Sequence, residues 1–132
     1  MKISNKNLII QKEGQAVVEF ALIVPILVVI LFGIFEFGRL WMTMNILTGA
    51  AREGVRVAAV TAPDAGLVQN AVQNIMLAAN ITGATITISG PNAATEVTVT
   101  VQMNYTVVTG SIVPGLSGTF QLTRSAIMRW EG

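Results

Sequence analysis

The 132-residue chain contains no cysteine and no histidine. Disulfide bridges and thiolate metal sites are therefore excluded, and so is the imidazole that most often serves as general base or metal ligand. Charge is also scarce, at 11% of residues, and the five arginines are scattered, so no basic tract points to nucleic acid. No Gly-x-x-x-x-Gly-Lys-Ser/Thr loop is present to bind a nucleotide. Ser111, Ser117 and Ser125 lack a neighbouring base and a Gly-x-Ser-x-Gly turn. The chain is therefore expected not to be an enzyme, with no catalytic residue, no metal ligand and no cofactor.

Apolar residues are abundant instead. They make up 52% of the chain, with a mean hydropathy of +0.65, a balance too apolar for an ordinary soluble domain and one that indicates a membrane protein. The length suits one small domain plus an anchor. Phe20 to Phe35 is an uncharged run, and adding Gln15–Glu19 makes about twenty-one residues, or about 30 Å of helix, enough to cross a hydrocarbon core. Lys2, Lys6 and Lys12 precede this run, while Glu36 and Arg39 follow it. The positive-inside rule then predicts a cytoplasmic N-terminus and a C-terminal part outside. The run is longer than the apolar region of a cleaved secretory signal, and the nearest small-residue site, Thr48-Gly49-Ala50, lies well past Glu36 and Arg39. Pro25 falls mid-span and removes one backbone donor, so a transmembrane kink is predicted there; an anchor helix also tolerates such a proline.

One acid stands at the mouth of the run. Glu19, in Gly14-Gln-Ala-Val-Val-Glu19-Phe20, occupies a place where charge is costly, roughly 2.5–3.5 kcal/mol at a span's centre and less near the interface. Beyond Phe35 the helical period continues: Met44, Leu47, Ala51, Val55 and Ala58 share a face, which predicts one helix from about residue 15 to about 60, ending before Pro63. Glu36 with Arg39, and Glu53 with Arg56, are three apart and can pair on its surface, each for a few tenths of a kcal/mol. Asp64 is a candidate cap for a second helix with an apolar stripe of Leu67, Val68, Ala71, Val72, Ile75 and Ala79, ended by Asn80 to Gly83.

After that the period becomes two. Ile86 and Ile88 alternate with Thr85, Thr87 and Ser89; Gly90-Pro91-Asn92 makes a turn. Val97, Val99, Val101, Met103, Tyr105 and Val107 then face one way, as in a half-buried antiparallel strand. A third strand places Phe120, Leu122, Ala126, Met128 and Trp130 on one face together with Arg124, which predicts a bulge or an edge position. The fold class is α+β: a long N-terminal helix, transmembrane then amphipathic, a second short helix and a small three-stranded antiparallel sheet.

Four blocks in order resemble the TadE-like proteins of tight-adherence (Tad) pilus systems, within the type IV pilin superfamily. They are Gly14–Pro25, Phe32–Arg39, Ala50–Ala59 and Leu122–Arg129. The resemblance implies a pilin-like division: a basic leader (1–14), a transmembrane helix (15–41) and an extracytoplasmic α+β head (42–132) that includes the rest of the long helix. It implies that a prepilin peptidase recognises Gly14, Gln15, Glu19 and Phe20 and cuts after Gly14. Glu19 would then serve in subunit docking by pairing with a neighbour's N-terminal amine. The implied partners are the bacterial inner membrane, the prepilin peptidase, other pilin or pseudopilin subunits in a homo- or hetero-oligomer, and the pilus assembly platform. The implied location is the inner membrane or an extracellular pilus.

Several readings stay open at this level. Glu19 also suits the first turn of a helix dipole, or an amine of its own chain four residues earlier. Gly33 and Gly38 permit either close helix approach or a bend. Arg52, Glu53 and Arg56 suit a docking surface, lipid headgroups or a solvated face. The apolar Ile112–Leu116 loop suits a partner or a place over the sheet. The chain as a whole reads as a minor pseudopilin, a major filament subunit, or an unprocessed membrane-anchored binding module.

Overall fold

A computed structural model describes residues 5–61, 64–91, 95–111, 115 and 117–131, with side chains from residue 14 onward except that of Ser111. Helix α1 runs from Asn5 to Val60, about 84 Å at 1.5 Å per residue, and continues through Pro25. It ends where Thr61 turns back, with its N–H and its hydroxyl both donating to the Val57 carbonyl at 3.1 and 2.7 Å. Of the leader, the helical backbone from Asn5 is described; its side chains lie outside the described residues.

Helix α2 (Ala65–Ala78) starts as the sequence predicts. The Asp64 carboxylate accepts the Gly66 N–H at 2.8 Å, satisfying one of the donors that a helix start leaves unpaired. Asp64→Ala is expected to lower the head's unfolding free energy by about 0.5–2 kcal/mol, read as a reduced denaturation midpoint. At the other end Asn80 adopts φ +56°, the Asn80 N–H donates to Leu77 and the Ile81 N–H to Met76, both at 2.9 Å. This is the Schellman arrangement, which uses a left-handed residue to satisfy the last carbonyls. The buried row of α2 is Val68, Val72 and Met76, not the wider stripe expected; Leu67 is exposed. α2 packs mainly against α1, so the row Val68, Val72 and Met76 is fully covered, Ile75 beside it is partly buried against the core, and Leu67, at the start of that second row, is left exposed.

Strands β1 (Thr85–Ser89), β2 (Glu96–Thr106) and β3 (Thr119–Arg129) form an antiparallel sheet in that order, with β2 central. Gly90, at φ +113°, carries the β1–β2 connection where a Cβ would lie 2.3 Å from the Glu96 carbonyl oxygen, so only glycine fits. β2 buries Val97, Val99, Val101 and Tyr105 against the helices. β3 pairs with β2 without interruption from Glu96–Arg129 to Thr106–Thr119. No bulge is present: Arg124 is accommodated by the edge position alone, where its side chain escapes to the rim and donates to the Thr123 carbonyl at 3.0 Å. Phe120 and Met128, expected inward, are exposed, while Leu122, Ala126 and Trp130 of the same face pack against the core.

The core joins three layers of contact. Leu47, Ala51 and Val55 of α1 meet Val68 and Val72 of α2 and the valines of β2. Gly54 brings the layers together: a Cβ there would lie 2.6 Å from Val72 Cγ2 and 3.0 Å from Val99 Cγ1. The chain end is tied back, with the Glu131 N–H donating to the Ala59 carbonyl at 3.2 Å.

Candidate functional site

The head covers only the second half of α1. From Gly14 to Met42 the helix is exposed or at most half-buried on every side, with Phe20 68% and Trp41 61% accessible. A helix with one apolar stripe can satisfy it against a single neighbour; one that is apolar all round needs an apolar environment on all sides. α1 is long and apolar enough to cross a membrane and is compatible with membrane anchoring.

Gly14, Gln15, Glu19 and Phe20 sit together on continuous helix near the start of this uncovered stretch, all exposed. The Gln15 amide donates to the Glu19 carboxylate at 3.1 Å, one helical turn apart. Glu19 therefore faces residue 15 of its own chain, and that contact is weak and accessible. A Cβ added at Gly33 or Gly38 would meet no neighbouring atom within 4 Å; on α1 the glycine that permits a close approach is Gly54.

The second site is the junction between helix and head, which residue spacing alone does not announce. Glu36 was expected to form an exposed pair with Arg39. That pair exists, at 3.0 Å, but the same carboxylate also accepts the Tyr105 hydroxyl at 2.5 Å. It accepts the Thr109 hydroxyl at 2.9 Å and the Thr109 N–H at 3.3 Å as well. Thr109 opens a single 3₁₀ turn (Thr109–Ser111) just past the end of β2. Tyr105 is 4% exposed, and the Arg39 guanidinium lies 5.4 Å from its ring centroid. Burial, then the hydrogen bond to Glu36, pushes the Tyr105 phenol up to about 12. The available signal was Tyr105 itself, the chain's only tyrosine, on the core face of β2: a phenol buried there needs an acceptor.

Higher on α1, Arg56 and Glu53 pair at 2.6 Å, and the hydrogen bond from Arg56 holds the Glu53 carboxyl below its ordinary range. Arg52 projects into solvent on the same stretch of helix. These three side chains line the rim of an open trough between α2 and β3, in which no substrate-like geometry converges. Most of the Ile112–Leu116 loop lies outside the described residues.

The uncovered helix, the Gly14–Phe20 segment and the junction at Glu36 fall inside one recognisable stretch. Residues 14–56 match the family model of TadE-like proteins. Over that stretch the chain is similar to TadE-like proteins. The TadE-like match opens at Gly14 and takes in Glu19, Pro25, Glu36 and Gly54, ending at Arg56, about a third of the chain. α2 and the sheet lie beyond it, including the closing Leu122–Arg129 block. No curated protein and no solved structure matches the chain.

Proposed function

We propose that this protein is a membrane pseudopilin, a minor pilin that takes part in assembling a Tad-type pilus. A prepilin peptidase cuts it after Gly14, on the cytoplasmic side of the inner membrane. The new N-terminus is Gln15, and Glu19 docks the subunit by pairing with a neighbour's amine. The observation that carries this reading is the asymmetry of α1. From Gly14 to Met42 it is largely apolar and uncovered around the whole circumference, and its later part is built into a water-facing head. Such a helix can exchange lipid contacts for other helices of its kind while the head stays in water. The exposed Gly14–Gln15 bond, with Glu19 one turn away, supports access by a peptidase. A head with its own second helix and sheet favours a minor or priming subunit over a short, nearly all-helical filament subunit.

The N-terminal sequence of the protein recovered from cells that contain a prepilin peptidase tests the processing. It is expected to begin at Gln15, and an intact 1–14 segment sinks the processed-pilin reading. Glu19→Ala tests the docking separately. The processed variant is expected to remain in the membrane and fail to enter filaments or assembly complexes; normal incorporation would show that Glu19 has no pairing role.

A further inference from the structure

We infer that the pole of the head nearest the span is itself a lipid-contacting surface, seated in the headgroup layer beside the helix. This rests on the proposed span. Residues 15–35 give about 30 Å of helix, which sets the hydrocarbon boundary at Glu36. The headgroup layer adds roughly 5–8 Å beyond it, and Phe37 and Trp41, whose rings stack at 6.3 Å between centroids, rise through that layer. Such exposed aromatic rings are the usual occupants of a membrane interface.

The head cannot stand clear of this depth, because it is bonded to it. Tyr105 and Thr109 donate to the Glu36 carboxylate itself. Phe120 is the cross-strand partner of Tyr105 and so shares its face, and it is 57% exposed. Val108, 49% exposed, adjoins Thr109 and borders a recess with Arg39 and Thr43. Phe37, Trp41, Val108 and Phe120 are thus exposed apolar side chains near the depth of Glu36, on the helix and on the head alike. A bilayer interface is the occupant this arrangement fits: the surface lies where the lipid must already be, and the ring of donors around Glu36 keeps the head from lifting away.

The absence of cysteine allows single labels in the full chain. Val108→Cys, Phe120→Cys, Gly38→Cys and Val60→Cys, each carrying an environment-sensitive nitrobenzoxadiazole dye, are reconstituted in phosphatidylethanolamine–phosphatidylglycerol vesicles containing headgroup spin-labelled lipid. Gly38 reports the interface on the helix. Val60, about 36 Å beyond Glu36 along α1, reports the far end of the head. Labels at 108 and 120 are expected to be quenched as strongly as the label at 38 and to emit to the blue of the label at 60, which stays unquenched. Quenching at 38 without quenching at 108 and 120 would overturn the lipid-facing pole and leave the span intact. No quenching at 38 would mean that the span is misplaced, which overturns the inference together with the reading beneath it.

Discussion

Gly54→Ala is expected to destabilise the head by about 1–3 kcal/mol even though it replaces the poorest ordinary helix former with the best. The added methyl would sit 2.6 Å from Val72 Cγ2 and 3.0 Å from Val99 Cγ1. Neither neighbour can yield cheaply: both valines are fully buried, and β-branched side chains are stiff at χ1. Relief therefore requires α1 to move away from α2 and β2 together, which loosens the valine layer of the core. Gly49→Ala is the internal control, on the same helix. A Cβ at Gly49 meets nothing within 4 Å, so the substitution is expected to stabilise by about 0.5–1 kcal/mol through helix propensity alone. Denaturant unfolding of the full chain in micelles reads both. Equal signs for the two variants would show that Gly54 does not set the approach of the layers, and Gly54→Val should exceed Gly54→Ala.

Glu36→Ala is expected to cost about 2–3 kcal/mol, because it leaves the buried Tyr105 hydroxyl and the Thr109 N–H and hydroxyl without their acceptor. Its signature is spectroscopic. The chain has one tyrosine, so the alkaline rise of tyrosinate absorbance reports Tyr105 alone. That phenol titrates at about 12 in the fold against an ordinary 10.0. Removing Glu36 takes away the second cause of the rise while burial remains, so the midpoint should fall but not return fully. The same shift dictates a pH dependence. A group whose folded pKa is raised stabilises the fold fully below its unfolded pKa. The contribution of Tyr105 is therefore present below pH 10 and is lost as pH climbs from 10 toward about 12. Wild-type head stability should decline across that window, and the decline should be shallower in Glu36→Ala. A tyrosine midpoint unchanged by the substitution would show that the Glu36–Tyr105 bond is not made in solution.

Much of the fold was legible because it is encoded locally. The change of apolar period from helical to alternating marks the sheet, Asp64 caps α2, Asn80 ends it, and Gly90 turns the first hairpin; each depends on residues within a few positions. The errors lie where a neighbour distant in sequence decides the outcome. Leu67, expected in the apolar stripe of α2, is exposed and Met76, not named in it, is buried, because the covered face of α2 depends on which element lies against it. For Arg124 the sequence left a bulge and an edge position open, and the strand order decides for the edge. Gly33 and Gly38 are indistinguishable by type from Gly54, and only packing shows which one lies under Val72.

The candidate site divides in the same way. Gly14, Gln15, Glu19 and Phe20 lie on one helix, which starts at Asn5 and not at the expected residue 15, and the Gln15–Glu19 hydrogen bond spans a single turn. Glu36 looked like half of an exposed pair. Its acceptor role toward residues 69 and 73 positions later leaves no trace in local spacing.

By itself the sequence determined the division of labour in this protein: an uncharged apolar run demands lipid or other helices whatever surrounds it, and alternating valines demand a sheet. Only the tertiary structure decided how the two halves are joined. Hydrogen bonds and van der Waals contacts act over a few ångströms, so the grip of Tyr105 and Thr109 on Glu36, and the fit of Gly54 beneath Val72, come into being when distant segments meet.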